Sequence, residues 1–343
     1  MSEYAFEISE KEQPSRLLTV KIEDKILFVD SNGKIAIDNR YDDAKPFSEG
    51  VAPVMYFESF KWGYIDWRGN FVIDPRYFDA GIFSEGLAPV KISEENEKWG
   101  FINRDARMVI APKFDFVFDF KDGIAIVAFG AILEEAKFGI IDKCGNFIAK
   151  PEYNFISEFR DGIATVQFVD IYDYEQWGFM DKSGVMICSL DFPWVGQYSD
   201  GRAEVQGWED NLMKFGFIDK HGKIVIEPEF GQTGIFSEGL AAAKKFDFQF
   251  PEKQKWGFID KSGQFVIEPE FDEVSHFSED LAVAAIDDLN DGKYGYIDKT
   301  GQFLIEPKFT SADTFKDGIA EIWIDDKMGY IKKDGSYIWE PTN

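Results

Sequence analysis

The chain has 343 residues, 45% of them hydrophobic and 17% aromatic, including 35 phenylalanines, which supports a sizeable core and favours strands over helices. Sixty-three acidic residues against 37 basic ones leave a formal charge of −26, a field that repels nucleic-acid phosphate and anionic lipid and attracts basic partners. No stretch approaches the roughly 18 apolar residues of a membrane-spanning helix, the opening residues show no basic and apolar leader, and two cysteines make no disulfide framework, so a cytoplasmic protein is expected.

In chain order, residues 1–16 read as a tail or leading strand, and 17–341 as a single repeat array. Leu17–Ile22 is a strand, followed at residues 26–30 by a degenerate copy of a pattern that then recurs along the chain. The pattern is close to W-G-[FY]-I-D-x-x-G-x-[FIV]-[VI]-[IA]-[ED]-P-x-[FY]. Clear copies begin at Trp62, Trp99, Phe138, Trp177, Phe215, Trp256, Tyr294 and Met328, which makes about nine in all. Each copy but the last continues into F-[SKR]-[ED]-G-[LIV]-A, as at residues 83–88 and 315–320.

Within one copy, Lys61–Asp66 is a strand and residues 71–73 its hairpin partner, joined by Asp66-Trp67-Arg68-Gly69. Asp at the first position of such a turn binds backbone N–H groups, and Gly supplies the left-handed residue. Proline, as at Pro75, Pro151 and Pro269, is expected to end the second strand, and residues 87–91 form a third. The glycine after tryptophan suggests a place where a ring of the next repeat packs on bare backbone. Trp256 is placed in the core, and no segment has a helical period.

The spacings carry the sharpest information. From the WG glycine to the alanine of the second motif there are 25 residues in every copy, as from Gly63 to Ala88 and from Gly295 to Ala320. From that alanine to the next glycine position the distance runs 11, 12, 14, 14, 13, 16, 13 and 9. Length variation therefore falls in one connection per repeat, because packed cores fix lengths and surface loops tolerate change.

The Lys61-Trp62-Gly63-Tyr64-Ile65-Asp66 and Phe83-Ser84-Glu85-Gly86-Leu87-Ala88 elements resemble the WG-containing (KWG) repeat family of bacterial proteins, over roughly residues 17 to 341. The resemblance implies a β-rich repeat and brings no catalytic residues to carry over. This chain departs from the pattern at Leu27 and Ala106, where glycine is usual, and at Leu190, where proline is usual. The fold expected is all-β: tandem WG β-repeats forming an open β-solenoid or superhelix, or alternatively a closed β-propeller-like ring. The chain begins in a third strand and ends after a hairpin, as ring closure would need. Nine blades, however, exceed the usual four to eight.

Little in the sequence points to chemistry. The recurring Asp66, Asp142, Asp181, Asp219, Asp260 and Asp298 are explained by turn geometry, and the acids before glycine (Glu49, Glu85, Asp122, Asp161, Asp200, Glu238) receive the same reading. His221 and His276 lack companions at metal-ligand spacing. Cys144 falls in a hairpin turn, and Cys188 aligns with core Ile73. No phosphate-binding or zincin motif appears. No catalytic residue, metal or cofactor is expected.

What remains is the row of variable connections at residues 55–60, 92–97, 129–136, 169–175, 206–213, 245–254 and 286–292, which share one edge of the array and hold many aromatic and acidic residues. Tyr56, Phe57, Tyr172, Tyr174, Trp208, Phe248 and Phe250 are the candidate partner-binding residues, since exposed rings anchor interfaces and repeat arrays place insertions on their binding face. The competing reading is that these rings pack on the next repeat. A non-catalytic protein-binding scaffold for a basic or mixed partner is the function expected. A carbohydrate-binding module and a glycoside-hydrolase-like enzyme on a propeller are the alternatives.

Overall fold

The computed structural model describes residues 16–95, 97–209, 212–247, 254–286 and 293–341. The chain divides into two units, residues 1–108 and 109–343. Both are built from short antiparallel strands, and the one described helix is a 3₁₀ turn at Leu133–Glu135. No helix among the described residues is long and apolar enough to cross a membrane.

The building block is a four-stranded meander. In the first unit, Asp43–Ala44, Val51–Tyr56, Lys61–Asp66 and Phe71–Tyr77 form one such sheet in sequential order. In the second unit, Phe116–Val117, Ile124–Phe129, Lys137–Asp142 and Phe147–Tyr153 repeat it. Three strands between Leu17 and Tyr41 make a sheet that starts directly at the longer second strand. Ile224–Thr233 runs on through the place of the next short first strand, so two meanders merge into one six-stranded sheet from Ala203 to Phe271. Discrete four-stranded antiparallel meanders are propeller blades rather than the coils of a solenoid. The fold is of the β-propeller class, the second of the two architectures the sequence allowed.

The structural blade is half a repeat out of phase with the sequence motif. The 25-residue constant segment leaves one sheet through its third and fourth strands and enters the next through its short first strand and the F-S-E-G turn. The crossing is fixed by packing. Tyr64 is fully buried and stacks edge-on to Phe83 of the following sheet, centroids 5.0 Å apart, and its hydroxyl donates to the Gly81 carbonyl at 2.8 Å. In the second unit the same pair recurs as Phe217 with Phe236, Phe258 with Phe277 and Tyr296 with Phe315, at 4.7, 4.8 and 4.7 Å. Most of these rings are buried on both faces of the interface, which is how a 17% aromatic chain uses its large apolar surface. Serine of the same motif ties the following copy, as Ser237 Oγ donates to the Phe277 carbonyl at 2.7 Å.

The hairpin turns form as expected. Asp66 Oδ1 accepts from the N–H groups of Arg68 and Asn70 at 2.9 Å each, and Gly69 closes the turn with φ of +83°. Where the sequence departs, Ala106 takes φ of +58° in place of glycine, and Asn103 accepts the two N–H bonds in place of Asp.

The reading of the WG glycine is corrected. It faces its own hairpin partner, not a ring of the next repeat. A Cβ on Gly63 would lie 2.7 Å from the Ile73 carbonyl oxygen and from the Pro75 nitrogen. The cause is a bulge: Trp62 pairs with Tyr77 and Tyr64 with Ile73, so three residues on one strand span five on the other. Proline sits inside that bulge rather than ending the strand, which continues to Tyr77. A bulged proline on the outermost strand removes a donor and twists the edge away, a protection against edge-to-edge pairing. Trp62 is buried but Trp256 only half-buried, with Lys244 Nζ 4.8 Å over its ring, so its core placement is also corrected.

Candidate interaction surface

An antiparallel meander puts the connection between its second and third strands at one end, and its other two hairpin turns at the opposite end. The variable connections occupy the first of these ends in each sheet. Ile163–Val169 and Glu175–Asp181 pair up to Val169 and Glu175, leaving a tight turn built on Asp170. Its Oδ1 accepts from the N–H groups of Tyr172 and Tyr174 at 2.8 and 3.0 Å, and Asp173 takes the left-handed φ of +63°. The turn is thus held by its backbone while its side chains project. Ile171, Tyr172 and Tyr174 are 89%, 73% and 68% exposed.

In the next sheet the two strands extend further. Ala203–Glu209 pairs with Leu212–Ile218 as far as Glu209 and Leu212. Trp208, opposite Met213, is 62% exposed. In the first unit, Phe57 and Phe60 are exposed and lie 5.8 Å apart, ring to ring. Tyr56 is different: it is half-buried against Tyr41 at 5.3 Å, and burial pushes its phenol pKa up. Phe248 and Phe250 lie outside the described residues, as do residues 287–292. Of the seven candidate residues, then, Phe57, Tyr172, Tyr174 and Trp208 present open rings and Tyr56 packs on the preceding sheet.

The opposite end carries the acid–glycine turns. Glu49, Glu85, Asp122, Asp161, Asp200, Glu238 and Asp317 all have φ near +50° and precede a glycine at positive φ, the geometry of a two-residue type I′ hairpin turn. Their carboxylates reach forward to the next copy's turn. Glu49 accepts from Gly86 N–H at 3.1 Å, Asp161 from Gly201 at 3.2 Å and Glu279 from Gly318 at 2.9 Å. Cations from the following hairpin add to this: Lys182 pairs with Asp122 at 2.6 Å, Lys261 with Asp200 at 2.6 Å and Lys299 with Glu238 at 3.0 Å. Turn geometry is therefore half of why these acids recur, and linkage of successive turns is the other half.

In the second unit these turns line a cavity of about 500 Å³, walled by Lys121, Arg160 and Lys182 against Asp122, Asp161, Asp200 and Glu238. Its lysines and carboxylates are committed to one another or to backbone. Lys121 also holds Glu158 at 2.6 Å, and that bond keeps the Glu158 carboxyl below its usual range, as Lys182 does for Asp122. Hydrogen bonds likewise lower the hairpin aspartates Asp142, Asp181, Asp260 and Asp298. Such carboxylates serve as acceptors and counter-ions, not as proton donors near neutral pH. Among the described residues, no cluster of three or more His, Cys, Asp or Glu could hold a metal ion.

The sequence reading missed one titratable group. Glu204 is 7% exposed where the two meanders of the six-stranded sheet meet, accepts a hydrogen bond from Thr233 Oγ1 at 2.8 Å, and burial pushes its pKa up to about 7. Its signal was present: the residue after the repeat alanine is uncharged at Pro53, Pro89, Ile126, Thr165, Ala242 and Val283 and acidic at Glu204 and Glu321, and burial pushes the Glu321 carboxyl up as well. Of the remaining singled-out residues, Cys144 is exposed in its turn, while Cys188 is half-buried with Sγ 3.6 Å from the Lys220 carbonyl. His276 is lowered by burial and by nearby Arg160.

The blade, the W-G bulge and the acid–glycine turn together define a WG-type repeat protein of the β-propeller class. The sequence profile described as "WG containing repeat" matches residues 28–56, 62–94, 99–130, 138–168, 177–206, 215–245, 256–289 and 294–327. The chain belongs to that family. The eight matches correspond to the hairpins that continue into the F-S-E-G turn; the ninth hairpin at Met328 closes the last sheet without one. No curated protein matches the chain. Among solved structures, it is similar to the uncharacterized protein lmo1340 from Listeria monocytogenes EGD-e, at 13% identity and a TM-score of 0.45, over 76% of this chain and 94% of that one. It is also similar to the Pyrococcus horikoshii acylaminoacyl peptidase, at 12% identity and a TM-score of 0.44, over 77% of this chain. That match spans only 52% of the peptidase.

Proposed function

We propose that this protein is a non-catalytic binding scaffold, acting in the cytoplasm, that holds another protein through the connections between second and third strands. The observation carrying the reading is the presentation of Ile171, Tyr172 and Tyr174 on a turn held by Asp170, and of Trp208 near the end of a paired strand, all 62% exposed or more. Rigid aromatic side chains lose little entropy on binding and anchor interfaces. Asp173 and Glu175 flank the tyrosines, and with a net charge of −26 they steer a basic partner.

Exposed tyrosine and tryptophan rings stack on sugars as well, so a carbohydrate module is the second reading. Salt separates the two. Retention of a polypeptide from lysate, weakening several-fold as ionic strength rises from about 0.05 to 0.5 M, is expected for steered protein association. Salt-insensitive retention on a glycan surface, with no polypeptide held, overturns the protein-binding reading in favour of the sugar.

A further inference from the structure

The last strand of each sheet is an outer edge, and one of these edges differs from those that carry a bulged proline. Phe71–Tyr77, Phe265–Phe271 and Phe303–Phe309 carry proline in a bulge, with charges on both sides of it: Asp74 and Arg76, Glu268 and Glu270, Glu306 and Lys308. Ile35–Tyr41 has no proline but keeps the bulge and carries Asp38 and Arg40. Met186–Leu190 has lost the proline, the proline-site bulge and the charges, and keeps only the bulge beside its hairpin turn, between the Phe179 and Met180 pairings. Leu190 stands at the proline position, and the strand pairs straight past the bulge site: Trp177 with Leu190, Gly178 with Ser189, Phe179 with Cys188. The segment Val185-Met186-Ile187-Cys188-Ser189-Leu190 holds no charge and no proline. Val185 is 58% exposed and Ile187 36%.

An edge strand with neither proline nor charge presents N–H and C=O groups outward with little to turn a second strand away. We infer that this edge is a self-association surface, on which residues 185–190 of two copies pair antiparallel about a two-fold axis to join their sheets. Two observations favour a second copy over a foreign strand. A chain with a charge of −26 repels itself over most of its surface, and this uncharged stretch is a place where two copies meet without opposing carboxylates. Antiparallel pairing also sets the turn end of one copy, where Lys182 is paired with its own Asp122, beside the Asp191 end of the other, so Asp191 meets a cation-bearing turn at both ends of the ribbon. Two-fold contacts of this self-complementary kind are the commonest in homo-oligomers. The inference is independent of the loop-borne binding proposed above, which lies on other connections.

Sedimentation velocity from about 1 to 100 µM, which reads micromolar association, tests it on the full chain. Wild type is expected to shift toward twice the monomer mass. Ile187→Lys, which opposes like charges across the axis at an exposed position, is expected to remain monomeric with an unchanged melting temperature. Mixing Ile187→Lys with Ile187→Glu is expected to restore the dimer, which a misfolded variant could not do. Wild type that stays monomeric throughout, as it would if the edge instead receives a strand of another protein, overturns the inference. So does an Ile187→Lys protein that still dimerises, or a mixture that does not.

Discussion

Two stretches of each repeat meet opposite demands. The segment that crosses from one sheet to the next never changes length, and its rings are buried between sheets, as Phe258 and Phe277 are at 4.8 Å. The connection between second and third strands changes length in almost every copy, and where it is described it holds its shape by local turn hydrogen bonds. Ile171 is 89% exposed while Phe277 has no exposed surface. The comparison teaches that aromatic content alone says nothing about role. Position relative to the crossing does.

Substitutions should follow the same division. Phe277→Ala removes a ring packed on both sides and should lower stability by about 3–5 kcal/mol, read from the urea midpoint; a loss below about 1 kcal/mol would break the account of the crossing. Glu204→Gln sharpens it through pH. The folded carboxyl titrates near 7 against an ordinary 4.5, so the folded protein holds a proton that the unfolded chain has released. Stability from this group is full below the unfolded pKa and falls as pH rises through the folded one, by about 3 kcal/mol in all. Glutamine should abolish that slope, making the variant the more stable form at pH 8; parallel pH profiles would contradict the buried placement.

Smaller effects come from local geometry. Gly257→Ala drives a methyl into the bulge, where it would meet the Pro269 nitrogen at 2.7 Å, and should cost about 1–3 kcal/mol by overpacking. Asp298→Ala loses the side-chain acceptor for Thr300 and Gln302 N–H and should cost about 1 kcal/mol. Tyr172→Ala should change stability by no more than about 0.5 kcal/mol, although the same residue is central to the proposed binding.

Much of this division was legible in the sequence. Equal spacing marked the crossing, and Asp66 with Gly69 gave the turn chemistry directly, because both are single-residue demands of local backbone. Three things were not legible. The blade phase depends on which strands pair across the variable connection, and the repeat motif begins mid-blade. The WG glycine was assigned to the next repeat because a bulge of two extra residues at Pro75 leaves no mark in a pattern of alternation. The carboxylate links between turns, such as Glu49 to Gly86, join residues 37 apart that only the stacking of sheets brings together. On the candidate surface, residue type pointed to Tyr172, Tyr174 and Trp208, but Tyr56 looked the same in sequence and sits half-buried, since it ends its strand against Tyr41 of the preceding sheet.

The most direct test pairs a melt with a capture. A variant with Ala at Tyr172, Tyr174 and Trp208 should melt within about 2 °C of wild type, as expected for exposed sites, and should lose the polypeptide that wild type retains from lysate. A variant that melts normally and still holds the same polypeptide would contradict the claim that these connections are the binding face.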